Sequence, residues 1–142
     1  MNIYFSCSIT GGRKDQHIYQ RIVDYLIENG HEVPTAHLAS SDVMKDESDL
    51  NAIDVYKRDM KWVRNCDMLI AEVSTPSHGV GYEIAAAIFL GKHVMCCYQK
   101  DKKISKIISG NTRENMHVFA YKSEGDLISE IESFLKVFTD AN

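Results

Sequence analysis

Long apolar segments are absent from this sequence of 142 residues. No run reaches the roughly 18 apolar residues that a membrane-spanning helix requires. The N-terminus, Met-Asn-Ile-Tyr-Phe-Ser, also lacks the basic region and apolar stretch of a signal peptide. Together these two features predict a cytoplasmic protein.

Patterns typical of metal sites and disulfide bonds are also missing. The four cysteines (Cys7, Cys66, Cys96 and Cys97) include no C-x-x-C pair, and on a strand the adjacent Cys96 and Cys97 would point to opposite faces. We therefore expect reduced thiols that pack as small apolar side chains. None of the six histidines has a partner at the spacing of the H-E-x-x-H motif, so no metal site is predicted.

Basic residues are not concentrated anywhere in the chain. The 16 lysines and arginines are scattered and the net charge is -4, which argues against a surface for a nucleic-acid polymer. A small anion could still bind, because backbone N–H groups at a helix N-terminus hold phosphate without basic side chains. With 44% hydrophobic and 25% charged residues, the chain can bury one core. We expect a single domain over residues 1–142.

Short apolar runs alternate with amphipathic stretches along the chain. The runs predict strands at 2–9, 31–38, 67–73, 93–98 and 117–121, and the stretches predict helices at 15–29, 51–65, 81–91, 104–109 and 125–138. Pro34 places the second strand at an edge, and the polar residues 39–50 are predicted to form a mobile loop. This order predicts an α/β fold, a flavodoxin- or Rossmann-like three-layer sandwich with a five-stranded parallel sheet of order 2-1-3-4-5.

Two polar loops follow the first and third predicted strands. In this fold, ligands bind beyond the carboxyl ends of the strands where the strand order reverses, here between strands 1 and 3. The loops at 8–13 and 74–83 should therefore border one crevice. Gly11, Gly12, Ser77 and Gly79 could bring backbone N–H groups close to a phosphate. The first loop matches neither G-x-G-x-x-G nor a Walker motif, so it could equally be a tight turn.

Two carboxylates stand out near this crevice. Glu83 lies in the first turn of its helix, where it could be catalytic or could simply interact with the helix dipole. Asp59 has the apolar neighbours Val55, Tyr56, Trp62 and Val63, so its charge needs a partner or ligand unless it lies at the surface margin. Tyr4, on the first strand, could reach the crevice or be an ordinary core tyrosine.

The segments Tyr4-Phe5-Ser6-Cys7-Ser8-Ile9-Thr10-Gly11-Gly12-Arg13 and Pro76-Ser77-His78-Gly79-Val80-Gly81-Tyr82-Glu83 resemble the nucleoside 2-deoxyribosyltransferase superfamily. The closest branch is the 2′-deoxynucleoside 5′-phosphate N-hydrolases. The similarity runs from Ile3 to about Phe138, and Asp59 and Trp62 belong to its specific part. Thr10 stands where the family usually has arginine, at a position that bears on substrate preference.

The resemblance implies roles for individual residues. Glu83 would attack or stabilise the anomeric carbon, Asp59 would help to protonate the base or orient the sugar, and Tyr4 would orient Glu83. The implied substrate and phosphate positions are Ser8, Ile9, Gly11, Gly12, Arg13, His37, Ser77, Gly79 and Ser105. His37 would lie near the base, and Ser105 would reach the phosphate of a neighbouring subunit in a homodimer.

Hydrolysis of a 2′-deoxynucleoside 5′-monophosphate to free base and deoxyribose 5-phosphate is thus the expected activity, and it needs no cofactor. Positive charge develops on the sugar as the N-glycosidic bond breaks, and a carboxylate stabilises that charge. Base exchange, hydrolysis of ribonucleotides and a non-catalytic nucleotide-binding module remain alternatives at this point.

Overall fold

The computed structural model describes residues 1–139, and its centre is a parallel β-sheet. The strands are β1 (Ile3–Ser6), β2 (Met68–Glu72), β3 (His93–Gln99) and β4 (Met116–Tyr121), and they lie side by side in the order β1-β2-β3-β4. The register pairs Tyr4 with Leu69 and Leu69 with Val94. Within residues 1–139 the sheet has four strands, so the prediction of five is wrong.

Helices cover both faces of the sheet. The helices are α1 (Gln16–Glu28), α2 (Val43–Ser48), α3 (Ala52–Asn65), α4 (His78–Phe89), α5 (Lys106–Ser109) and α6 (Glu124–Thr139). One core packs α1 and α6 against Phe5, Ile70 and Cys97 of the sheet. The other packs α3 and α4 against the opposite face, which carries Tyr4, Leu69 and Cys96. All four cysteines are buried free thiols, and Cys96 and Cys97 lie on opposite faces as expected.

The predicted second strand contributes only an isolated parallel bridge between Asn2 and Glu32. Pro34 has no N–H to donate to a strand ladder. Beyond it, the side chain of Thr35 replaces a backbone partner, because its Oγ1 accepts a hydrogen bond of 3.0 Å from the N–H of Phe5. The edge of β1 is therefore satisfied without a second strand, and the five-stranded order 2-1-3-4-5 does not form.

The segment predicted as a mobile loop at residues 39–50 contains regular structure instead. A 3-10 helix at Ala36–Ala39 leads to α2, and the two are in contact. Leu38, Ala39 and Val43 are buried against the core beside α1. These three apolar anchors within a mostly polar stretch explain why the segment folds.

Helix α4 begins three residues earlier than predicted, at His78. Ser77 is its N-cap, and the Ser77 side chain accepts a hydrogen bond from the N–H of Val80. Gly79 and Gly81 weaken the helical pattern of this first turn, because glycine is a poor helix former. Among residues 1–139, no helix is both long enough and apolar enough to span a bilayer.

Candidate active site

The loops after β1 and β2 meet at the carboxyl edge of the sheet, as predicted. A Cβ atom at Gly11 would lie 2.4 Å from the carbonyl oxygen of Pro76 and 2.7 Å from Oγ of Ser8. Only glycine fits between these groups. Gly12 has φ +134°, a backbone conformation that side chains other than that of glycine rarely adopt. The two glycines therefore let the first loop lie directly against the second.

A cavity of about 290 Å³ lies between the two loops, lined by Thr10, Gly11, Pro76, Ser77, His78 and Gly79. Ser77, His78 and Gly79 form the N-terminal end of α4, where free N–H groups and the helix dipole favour an anion. Ser8 is fully buried beside Gly11, and its Oγ has no hydrogen-bond partner within residues 1–139. Buried hydroxyl groups are normally paired, so this one is available to a ligand.

Glu83 is held by two hydroxyl groups from β1. Its Oε1 accepts a hydrogen bond of 2.8 Å from the Tyr4 hydroxyl, and its Oε2 accepts one of 2.5 Å from Oγ of Ser6. Both donors point to the same face of β1, because side chains alternate along a strand. The carboxylate is thereby fixed in one orientation near the meeting point of the two loops.

Burial dominates the electrostatics of this carboxyl group. It raises the pKa of Glu83, hydrogen bonds from Ser6 and Tyr4 offset part of that rise, and the charge of Asp59 adds to it. Burial also raises the pKa of Tyr4, together with the charges of Glu83 and Asp59. Tyr4 therefore stays neutral and remains a hydrogen-bond donor to Glu83.

Asp59 forms an ion pair with Arg58. Its Oδ1 accepts a hydrogen bond of 2.8 Å from Nε of Arg58, and only 14% of its side chain is exposed. The Arg58 guanidinium also lies 4.9 Å above the ring of Trp62. Asp59 interacts electrostatically with Glu83, so the two carboxylates share one region.

Three other residues that were predicted to bind substrate, namely Arg13, Ile9 and His37, contact other parts of the chain. The Arg13 guanidinium donates to the carbonyl oxygens of Ser8 at 3.1 Å and Ser40 at 2.7 Å, which ties the first loop to residue 40. Ile9 packs against the core on the α1 side. His37 pairs with Glu47 at 2.9 Å, and its ring lies edge-on to Trp62 with 5.9 Å between centroids.

Ser105 lies outside the small cavity. It caps α5 and lines an adjoining apolar groove of about 430 Å³ that also includes Ser77 and His78. The groove runs along α4, where Val80, Ile84 and Ile88 form one wall.

Comparison with known proteins identifies the chain. The profile of the nucleoside 2-deoxyribosyltransferase family matches residues 3–132. The chain belongs to this family. A Methanococcoides burtonii protein, provisionally named a 2′-deoxynucleoside 5′-phosphate N-hydrolase 1, is 42% identical over 83% of this chain and 97% of its own length. The 5-hydroxymethyl-dUMP N-hydrolase of Mus musculus is 35% identical over 99% of this chain and 80% of its own.

Solved structures share the fold of this nucleoside 2-deoxyribosyltransferase family member. A CMP N-glycosidase of Clostridium botulinum has a TM-score of 0.72 at 21% identity and covers 94% of this chain and 99% of its own. A 2-deoxyribosyltransferase of Bacillus psychrosaccharolyticus has a TM-score of 0.63 at 17% identity and covers 90% of both chains.

Three polar residues that make contacts at or beside the site of this family member were not predicted from the sequence. Ser6 was missed although it follows Tyr4 by two residues on a strand, the spacing that places both on one face. Arg58 and Glu47 were missed because their bidentate pair, at 2.9 Å and 3.1 Å, joins α3 to α2. Local periodicity carries no signal for such a pair. Within residues 1–139, no group of three His, Cys, Asp or Glu side chains could hold a metal ion.

Proposed function

We propose that this chain hydrolyses the N-glycosidic bond of nucleoside 5′-monophosphates and releases free base and sugar 5-phosphate. The observation that carries the proposal is the Glu83 carboxylate, which Tyr4 and Ser6 fix in place one turn of α4 beyond Gly79, a residue that lines the cavity between the two loops. A buried, oriented carboxylate suits a reaction in which positive charge develops on the sugar ring. The names of the N-hydrolase relatives support the same chemistry.

In the proposed reaction, Glu83 acts at the anomeric carbon. Hydroxyl donors hold its two oxygens, so little reorganisation is needed as the C–N bond lengthens. The carboxylate either bonds to the anomeric carbon or stabilises its positive charge, and water completes the hydrolysis. Asp59, which is close enough to interact with Glu83, helps to protonate the departing base or orients the sugar.

The 5′-phosphate is proposed to occupy the cavity at the N-terminus of α4. Gly11, Ser77 and Gly79 line this cavity, and the unpaired Ser8 hydroxyl lies next to Gly11. Binding energy from the phosphate then fixes the sugar relative to Glu83, although the phosphate takes no part in bond breaking. Gly12 contributes to this proposed phosphate site through its backbone conformation, which lets the first loop lie against the second.

More specifically, we propose that the substrates are 2′-deoxynucleotides and that water is the acceptor of the sugar group. This assignment is supported by the names of relatives at 35–42% identity, which specify 2′-deoxynucleoside 5′-phosphates and 5-hydroxymethyl-dUMP. Base exchange is the competing activity, since the family carries the name of a transferase. A cytoplasmic location remains a prediction from the sequence.

A product assay across phosphorylated and unphosphorylated substrates tests this function. We expect kcat/KM to be at least about 100-fold lower for a 2′-deoxynucleoside than for its 5′-monophosphate, because the nucleoside forgoes the phosphate contacts. Matched ribonucleotides in the same panel show whether deoxyribose is preferred. Equal kcat/KM with and without phosphate would reject the phosphate site. Accumulation of a swapped nucleotide when a second base is added, with little sugar phosphate, would reassign the chain as a transferase.

A homodimer is proposed as the working form, with Ser105 completing the site across the interface. Large apolar side chains are exposed on α4 and α5, notably Tyr82 at 57%, Phe89 at 78% and Ile107 at 86%, and Ile107 lines the groove. Exposed apolar patches of this kind mark protein interfaces. A second copy of the chain would cover them and bring its own α5 to this side of the molecule.

Replacement of Ser105 by alanine should raise KM for the nucleotide about tenfold, the usual effect of losing one hydrogen bond to a charged group. Ser109→Ala, four residues along the same exposed helix, is the matched control and should behave as the wild type. Steady-state kinetics and sedimentation at the assay concentration provide the two measurements. A monomer with full activity, or equal KM values for the two variants, would contradict the shared site.

A further inference from the structure

Four side chains form a closed ring beside Asp59. His37 pairs with Glu47, Glu47 pairs with Arg58, the Arg58 guanidinium stacks over Trp62, and the Trp62 ring meets His37 edge-on. The members come from the 3-10 helix, α2 and α3. Because each member touches two others, none of them can move without breaking a contact.

Glu47 is the centre of this ring. Its Oε1 lies 2.9 Å from Nη1 of Arg58 and 2.9 Å from Nε2 of His37, and its Oε2 lies 3.1 Å from Nη2 of Arg58. Burial acts to raise the pKa of Glu47, but hydrogen bonds from Arg58 and His37 outweigh it and leave the pKa lowered. Glu47 is thus an ionised and mostly buried anchor on α2.

The guanidinium group of Arg58 contacts two carboxylates, those of Glu47 and Asp59. Both terminal nitrogens bind Glu47, so only Nε remains for Asp59. A guanidinium freed from Glu47 would be able to form a bidentate pair with Asp59 instead, since that is the preferred geometry of arginine with a carboxylate. Such a pair would engage both oxygens of Asp59, whereas the observed Nε contact engages Oδ1 and leaves Oδ2 more open to the base or sugar.

We propose that Glu47 is a positioning residue for the glycosidic reaction, which acts by holding Arg58 so that one oxygen of Asp59 stays free for the substrate. The inference rests on the proposed hydrolase function and extends it to α2, a helix that lies outside the loops at 8–13 and 74–83. In this proposal the Arg58 guanidinium orients Asp59, and because it also pairs with Glu47 it offsets only part of the negative charge of Asp59.

The variant Glu47→Gln tests this inference through a split between kcat and KM. We expect kcat to fall about 10- to 100-fold, the range for a misplaced reacting group, while KM changes little because the loops after β1 and β2 are untouched. Glu47→Asp keeps the charge and should recover part of the loss. Glu130→Gln is the matched control, since Glu130 also pairs with a histidine, His117, at 2.7 Å on α6 and β4. Its kcat should equal that of the wild type.

A double variant shows whether Glu47 acts through Arg58. Adding Glu47→Gln to Arg58→Gln should lower kcat little further, because the contact between them is already lost. The proposal would be overturned if the fold-loss of kcat in the double variant equalled the product of the losses in the two single variants. It would also be overturned if kcat of Glu47→Gln equalled that of Glu130→Gln. If the wild type releases no base from any nucleotide, the proposed function itself fails. If it does so and Glu47→Gln is normal, only this inference fails.

Discussion

Replacing Glu83 by glutamine is expected to lower kcat for nucleotide hydrolysis by at least about 100-fold, the effect of removing a main electrostatic group from an active site. Glutamine keeps the shape of the side chain but carries no negative charge to stabilise the sugar cation. Tyr4 and Ser6 can still form hydrogen bonds with the amide, because a hydroxyl group both donates and accepts. The fold and nucleotide binding should therefore survive while turnover is lost.

Steady-state release of base, thermal unfolding and nucleotide binding together separate this outcome from misfolding. Glu72→Gln is the matched control, because Glu72 is also a buried glutamate that accepts hydrogen bonds from a serine and a tyrosine, Ser74 and Tyr121. It lies on the opposite face of the sheet and should retain turnover. A Glu83→Gln enzyme with kcat close to the wild-type value would remove Glu83 from the mechanism.

The convergence of the two loops was predictable because it depends on topology. In a parallel sheet all carboxyl ends lie at one edge, so loops after neighbouring strands must meet there. Gly11 and Pro76 confirm this contact at close range. The link between Tyr4 and Glu83 was expected from the family resemblance, and the structure gives it as a hydrogen bond.

Errors in the fold prediction arise where contacts between separate elements decide the local structure. The apolar run at 31–38 has the composition of an edge strand, but Thr35 supplies a hydroxyl acceptor where a ladder would supply a carbonyl group. Residues 39–50 are polar in sequence, yet Val43 is buried and Glu47 pairs with Arg58 eleven residues later. Both outcomes depend on contacts between elements, which a pattern of hydrophobicity does not contain.

Glu72 differs from Glu83 in that the proposed mechanism does not use it. It is the last residue of β2, fully buried, and it accepts hydrogen bonds from the hydroxyl and N–H of Ser74 and from the Tyr121 hydroxyl. Other titratable groups around it are Asp15, Tyr19 and Cys97. Burial raises the pKa of Glu72 from 4.5 to about 7, Ser74 and Tyr121 offset part of the rise, and Asp15 adds to it.

This raised pKa predicts that Glu72 makes the protein less stable as pH rises. Below pH 4.5 the carboxyl group is protonated in both the folded and unfolded chains. Between pH 4.5 and about 7 the unfolded chain releases the proton while the folded chain keeps it, so the free energy of unfolding falls. Above that range both states are ionised and the loss, about 3 kcal/mol, is complete.

Denaturant unfolding of the wild type and Glu72→Gln at a series of pH values measures this contribution. Glutamine resembles the protonated acid, so the two proteins should have similar stability near pH 5, and Glu72→Gln should be the more stable by up to about 3 kcal/mol near pH 8. Identical pH dependence in the wild type and Glu72→Gln would mean that the pKa of Glu72 is the same in the folded and unfolded chains, and that the hydrogen bonds from Ser74 and Tyr121 fully offset the effect of burial.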